Sequence, residues 1–280
     1  MLLKYSFFVF LGTLCFLFGV DARANLASPT NTIIRFNTNV TLASGASSIS
    51  SFDVELFDNS ASLANRTTPI TVANFLSYIL DESYNNTLIH RSVSGFVLQG
   101  GGFTWPQVSE VEAGGVPLPI SKKAPIVNEA GNSNLFGTIA MAKLSGDPNS
   151  ATSQWFINLA DNLALDDQNE GFTVFGKVIS GMELVLAIGS NASYDFTDHF
   201  YYATPFSELP LFQYNNVEGA ILFPFNYFAI ESIEILNRKS GTLKILQSSD
   251  LHNWSETQSL NLKGLDPEKV FIKSELTLDE

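Results

Sequence analysis

Between Ile89 and Thr104 the chain reads IHRSVSGFVLQGGGFT, and a second short run, SQWFI, follows at Ser153 to Ile157. The first run sets Arg91 a few residues ahead of Phe96 and Val97, then Gln99 before three glycines; the second adds Gln154 and Phe156. An arginine, two glutamines and a group of phenylalanines suit one task. The rings grip a short apolar side chain while the guanidinium and amides hydrogen-bond the backbone that carries it.

Other chemistries find little support. The glycine triplet Gly100–Gly102 lacks the Lys-Ser/Thr ending of a phosphate loop. No Gly-x-Ser-x-Gly elbow occurs, which speaks against a serine hydrolase. His90, His199 and His252 lie far apart and have no metal-ligand spacing, so neither a metal nor a cofactor is expected. Taken singly, the residues of the two runs have plainer roles. A lone arginine after an apolar strand is ordinarily a surface residue, and phenylalanines along strands are ordinarily core. His90 reads as satisfying a buried hydrogen bond, and Asp166-Asp167 as solvated acids in a turn.

The elements that must position these residues are mostly strands. Thr32 to Asn37 and Phe52 to Phe57 read as strands; in the second, Phe52, Val54 and Leu56 alternate with Asp53 and Glu55. The Ser/Ala/Gly-rich stretch Ala43 to Ser51 reads as a loop between them. Pro69 opens a helix with Val72, Phe75, Leu76 and Ile79 on one face, and Thr67 or Thr68 is its expected cap. Leu88–Arg91 and Val97–Gly100 read as short strands around a turn at Gly95, with the glycine triplet allowing tight backbone turns. Trp105 to Ser121 is a loop. Gly137–Ala142, Gln154–Leu159 and Phe172–Val178 are further strands, and Met182–Ile188 is a short second helix. Ser193 to Phe228 is aromatic and irregular, Ala229 to Ile235 a strand, and Leu243–Gln247 and Val270–Leu276 two more strand-like pieces. Several short strands with two helices make a mainly β chain and suggest a closed antiparallel barrel.

A hydrophobic content of 45% supplies a real core, and 15% charged residues is too few for disorder by composition. The net charge of −13 repels phosphate backbones, so nucleic-acid binding is not expected. The N-terminus reads as an export signal: Lys4 gives a positive start, Ser6 to Val20 is apolar, and Ala22-Arg23-Ala24 has a small-x-small cleavage pattern. Cleavage would remove Cys15, the only cysteine, and leave no stable membrane insertion. The expected domains are a signal at 1–24, a barrel at 30–237 with an aromatic insertion at about 193–228, and a small β-rich extension at 238–280.

The two opening runs resemble signature segments of the cyclophilins, the peptidyl-prolyl cis-trans isomerases. The likeness extends to Phe52–Asp58, Pro69-x-x-Val72-x-Asn74-Phe75, Gly137-x-x-Ala140-Met141-Ala142 and Phe172–Lys177, in the family's order. It implies an eight-stranded antiparallel barrel closed by a helix at each end, and proline-containing polypeptides as partners. Arg91 matches the catalytic arginine, and Gln99 and Gln154 the polar residues beside it. Phe96, Val97, Phe156 and Leu165 match pocket positions, and Phe172 a position often held by histidine or another aromatic. Ala142 and Lys143 match a stretch whose backbone receives the substrate, with Lys143 replacing a usual asparagine. Ala164 stands where many members hold cyclosporin with a tryptophan, so weak cyclosporin sensitivity is expected.

The resulting expectation is an exported, periplasmic or extracellular, monomeric prolyl isomerase that assists folding. The alternative is a non-catalytic cyclophilin-fold module that binds proline-containing peptides, with Lys143 or the aromatic insertion narrowing the groove. A third reading gives the segment after Gly241 the role of attachment to a partner or cell surface, against ordinary β packing.

Overall fold

The structure is a computed structural model that describes residues 31–44, 47–58, 66–109, 115–197, 206–214 and 221–236, with the backbone of three terminal strands. The chain divides into two compact units, Pro29–Asn237 and the paired ends Met1–Ser28 with Arg238–Glu280.

In the first unit eight strands close into a barrel. They are β2 (Ile33–Ser44), β3 (Ser47–Leu56), β4 (Thr87–Val93), β5 (Val97–Thr104), β6 (Thr138–Met141), β7 (Trp155–Asn158), β8 (Val174–Ser180) and β11 (Ala229–Ile235). Their order around the barrel is β11-β2-β3-β8-β6-β7-β5-β4, and every pairing is antiparallel. Closure removes the free edges that an open sheet would expose. The barrel interior is apolar and aromatic: Phe36 stacks on Phe52 at 4.6 Å, and the fully buried Trp155 meets Phe36 edge-on at 5.1 Å.

The alternation of Phe52, Val54 and Leu56 places all three in this core. The expected loop at Ala43–Ser51 is instead the end of a hairpin, in which Leu42, Ala43 and Ser44 pair with Ile49, Ser48 and Ser47. Small polar residues there are poor strand formers, but backbone pairing with a long neighbour sets their conformation.

Helix α1 (Pro69–Leu80) buries Val72, Phe75 and Ile79 as its spacing predicts, with Leu76 packed against the core. Thr68 is its N-cap by position, yet its hydroxyl makes no cap bond. The first-turn N–H groups are met by a carboxylate from far along the chain: Thr71 N donates to Glu129 Oε2 at 2.7 Å and Ile70 N to Oε1 at 3.3 Å. A carboxylate at this end also favours the helix dipole. Helix α2 (Met182–Gly189) buries Leu184, Val185 and Ile188 in the same core.

Residues of the aromatic insertion build a second apolar cluster. Phe196, Phe206, Leu209, Leu211 and Leu222 pack with Leu88 and Phe103 of the barrel, and two short strands, β9 (Ser193–Tyr194) and β10 (Leu209–Pro210), pair antiparallel. The described residues of the insertion therefore form a buried cluster of their own against the barrel.

In the second unit, β1 (Leu17–Gly19), β12 (Thr242–Ser248) and β13 (Ser255–Asn261) form a three-stranded sheet in the order β1-β12-β13. The strand expected at Leu243–Gln247 is present. The partner of β12 on that side is Ser255–Asn261, and Val270–Leu276 lies outside the described residues, as do Cys15 and most of the export-signal pattern. Among the described residues no helix is long and apolar enough to cross a membrane.

Candidate active site

Strand geometry decides which side chains share a face. Directly opposed residues of an antiparallel pair point the same way, and neighbours along a strand point oppositely. Leu98, Ile157 and Ile139 are opposed across β5, β7 and β6, and all three are buried inside the barrel. The adjacent row, Gln99–Phe156–Ala140–Val174, therefore lies on the outer wall.

Arg91 joins that outer row through a β-bulge. Ile89 pairs with Gly100 and Arg91 with Gln99, so two steps along β4 match one along β5, and His90 is the extra residue. Ile89 belongs to the barrel core. In a regular strand Arg91, two residues on, would point inward as well; the bulge turns it to the outside. The bulge is held by burial. His90 is 1% exposed and packs edge-on against Phe103 at 5.0 Å.

The expectation that His90 satisfies a buried hydrogen bond is corrected: neither ring nitrogen has a bond of normal geometry. Burial lowers its pKa to about 4, with Gln154 and the Leu88 backbone opposing the shift and the Arg91 charge adding to it. His90 is thus a neutral packing residue.

The apolar members come together. Phe96, Val97, Phe156, Leu165 and Phe172 form one cluster with Phe57, Ala140, Ala142 and Val174, and Phe156 meets Phe172 edge-on at 5.7 Å. Polar groups behind them fix the rims. Asn162 Nδ2 and Leu159 N both donate to the Phe96 carbonyl at 2.8 Å, and Phe172 N donates to Leu165 O at 2.9 Å. Asp166 is not the solvated turn acid that its sequence suggests. It accepts from Asn134 N at 2.7 Å and Asn134 Nδ2 at 2.9 Å. Burial pushes its carboxyl up, but the bonds from Asn134 and Ser133 outweigh this and hold it below the usual range. The amide chain continues through Asn158, which donates to Asn134 at 3.2 Å and to Thr138 at 2.9 Å.

Gln99 and Gln154 form a pair, with Gln99 Nε2 donating to Gln154 Oε1 at 2.8 Å. Gln99 thus reaches Gln154 rather than Arg91. The acidic partner of Arg91 is Glu208 of the insertion, whose Oε2 lies 2.6 Å from Arg91 Nε. Nothing in the local spacing flags Glu208; the only sequence signal is a carboxylate set between apolar residues, Phe206 and Leu209-Pro210.

Lys143 also departs from expectation. Its ammonium donates to Asn169 O at 2.9 Å and Gly171 O at 2.6 Å and lies 4.9 Å from the Phe172 ring centroid. It braces the rim. Ala142 N donates to Gln154 O at 2.9 Å, which ties this stretch to the segment that carries Gln154.

The glycine triplet is corrected too. It lies within β5, not in a turn, and its glycines admit close neighbours. A Cβ on Gly101, which has φ of +75°, would lie 2.6 Å from Trp155 Nε1 and 2.7 Å from Ser153 O. A Cβ on Gly102 would meet Gln154 Nε2 at 2.7 Å. The glycines thus let the Ser153–Trp155 segment lie flat against β5 and hold Gln154 beside Gln99.

The profile described as "Cyclophilin type peptidyl-prolyl cis-trans isomerase/CLD" matches residues 52–204. The chain is 40% identical over 159 residues to the peptidyl-prolyl cis-trans isomerase of Acinetobacter baylyi, covering 55% of this chain and 70% of that protein. It is 40% identical over 139 residues to peptidyl-prolyl cis-trans isomerase B of Escherichia coli, covering 47% of this chain and 74% of that one. A crystal structure of a cyclophilin-type isomerase from Cryptosporidium parvum is similar at a TM-score of 0.47 and 19% identity, over 75% of this chain and 99% of that one.

Proposed function

The chain belongs to the cyclophilin-type peptidyl-prolyl cis-trans isomerases, and from that membership we propose how its own residues turn the X-Pro bond and where it works. Rotation about the bond meets a barrier of about 18–20 kcal/mol because amide resonance resists twisting. No covalent bond need break, so the protein must bind the twisted amide better than either planar form.

The proline ring sits in the socket of Phe96, Val97, Phe156, Leu165 and Phe172. Arg91 donates to the proline carbonyl and faces the ring nitrogen as it becomes pyramidal. That nitrogen gains electron density when conjugation is lost, so an aimed guanidinium favours the twisted state selectively. The Gln99–Gln154 pair and the Ala142–Lys143 backbone hold the peptide on either side.

The observation that carries this reading is the outer row, in which Arg91, Gln99 and Phe156 stand opposite one another on three adjacent strands. Neighbouring strands are about 4.8 Å apart, so cation and socket stand about 10 Å apart at the backbone, within reach of one proline residue. A protease-coupled assay on a proline tetrapeptide tests it. Arg91→Ala should lower kcat/KM about a hundredfold or more, the scale of losing one aimed donor. Near-normal turnover would remove Arg91 from the chemistry. Peptide binding without rate enhancement in the wild type would instead favour a binding module.

The substrates are exported or unfolded polypeptides in the periplasm or outside the cell, and the protein acts as a monomer without stable membrane insertion. The support is the positively charged start, the apolar run Ser6–Val20 and the small-x-small triplet after it. N-terminal sequencing of the protein from fractionated cells tests this; a cytoplasmic protein that keeps residue 1 would overturn it.

A further inference from the structure

The contact between Glu208 and Arg91 rests on how the insertion meets the barrel. Strand β11 pairs with β4 at Leu88 and Thr87, and Ile89 N donates to Phe228 O at 2.9 Å just before β11, so beyond Ile89 no pairing with β11 continues on that side. The insertion takes its place. Ser92 N donates to Glu208 O at 2.9 Å, and Ser193 Oγ donates to Ser92 O at 2.8 Å.

Glu208 is fixed from both directions along the chain. Leu209 is fully buried and pairs with Tyr194 in the β9–β10 ribbon. On the other side Phe206 is buried, with its ring 4.8 Å from that of Phe103. The carboxylate therefore starts from an anchored backbone, and its closest approach to Arg91 is at Nε, the root of the guanidinium. A guanidinium carries five N–H donors in a planar fork, so a partner at the root leaves the outer edge for a substrate carbonyl.

We infer that Glu208 is a positioning residue for the isomerisation: it holds the Arg91 guanidinium in one rotamer before the peptide arrives. The inference deepens the isomerase reading above and rests on it. A free arginine side chain loses much rotamer freedom when it is aimed, and a partner that has already fixed it spares the twisted state that loss. The aromatic insertion thus completes the site instead of covering it.

The test compares wild type, Glu208→Ala and Glu208→Gln in the same tetrapeptide assay, with kcat and KM resolved. Both substitutions leave the backbone bond to Ser92 in place, and thermal midpoints check the fold. Glu208→Ala should lower kcat about tenfold, less than loss of the donor itself, with KM within about twofold. Glu208→Gln should fall close to Glu208→Ala, because the contact with Arg91 is an ion pair and an amide carries no charge. Raising the salt concentration should bring the wild-type kcat toward that of Glu208→Ala and leave the alanine variant level, as screening of an ion pair requires. A wild type without turnover strikes the isomerase reading on which the role depends. An active wild type matched or exceeded by Glu208→Ala overturns the role of Glu208 alone, and a faster variant would mean that the carboxylate competes with substrate.

Discussion

The ammonium of Lys143 ties together the carbonyls of Asn169 and Gly171, one residue short of Phe172. The turn that it spans is conformationally costly, with Asn169 and Glu170 at φ of 54° and 60°, values that side chains other than glycine seldom adopt. Half-burial lowers the pKa of Lys143, partly offset by the charge of Glu170, so the cation is held mainly by the two carbonyls. Lys143→Asn should free this turn and loosen Phe172 at the rim. Each lost bond is worth about 1 kcal/mol. The expected result is a KM raised about threefold to tenfold with kcat little changed. Unchanged KM, with unchanged amide exchange at Gly171 and Phe172, would show that the turn holds itself.

His90 supplies a pH dependence of stability. Its folded-state pKa is about 4, against an ordinary value of 6.5, because burial disfavours the imidazolium. Between those values the unfolded chain binds a proton that the folded chain does not, so stability falls as the pH is lowered. The contribution is full above about pH 6.5 and is lost progressively down to about pH 4, with an upper limit of about 3 kcal/mol. Urea unfolding at pH 7 and pH 5 should show the loss, and His90→Phe should flatten the difference. The same variant tests the bulge: if an apolar ring of similar size fills the space against Phe103, Arg91 stays on the outer face and turnover survives.

That bulge also marks where the sequence stops being legible. The strands announce themselves where apolar residues alternate with polar ones, as at Phe52, Val54 and Leu56, and α1 where they recur at helical spacing. The socket is legible because five of its side chains sit in short runs of recognisable order. The aiming of Arg91 is not, since Ile89-His90-Arg91 reads as an ordinary alternation and only the register against β5 reveals the extra residue. Partners distant in sequence are equally hidden. Glu129 caps α1 and Glu208 meets Arg91 because the barrel closes, and no local pattern carries that information. The Ala43–Ser51 stretch fails for the converse reason: its local preference is loop, and strand pairing overrides it.

Gly101 is one position near the site that admits no other residue without cost. Its φ of +75° would strain any other residue, and a Cβ there would meet both the Trp155 ring and the Ser153 carbonyl. The first cost alone is about 1–2 kcal/mol. Trp155 is fully buried against Phe36, so it has little room to yield. Gly101→Ala should destabilise by about 2 kcal/mol or more and lower the thermal midpoint accordingly. It should also disturb Gln154, the next residue before Trp155, so turnover should fall in the fraction that remains folded. A variant as stable as wild type would mean that β5 can move away from β7 without cost.

Ala164 gives the last prediction, on inhibitor binding. It is exposed on the turn that carries the buried Leu165 into the socket, so its small side chain leaves that edge of the site open. Where many cyclophilins offer a tryptophan to cyclosporin, this chain offers a methyl group. An indole supplies a large flat apolar surface and one N–H donor, a combination that often dominates binding energy at an interface. The wild-type protein should therefore bind cyclosporin weakly while turning over proline peptides normally, because Ala164 is not among the side chains of the socket. Ala164→Trp should tighten binding about tenfold or more and leave kcat/KM within about twofold. Inhibition curves on both proteins decide it: equal inhibition constants would mean that another part of this site sets the response to the drug.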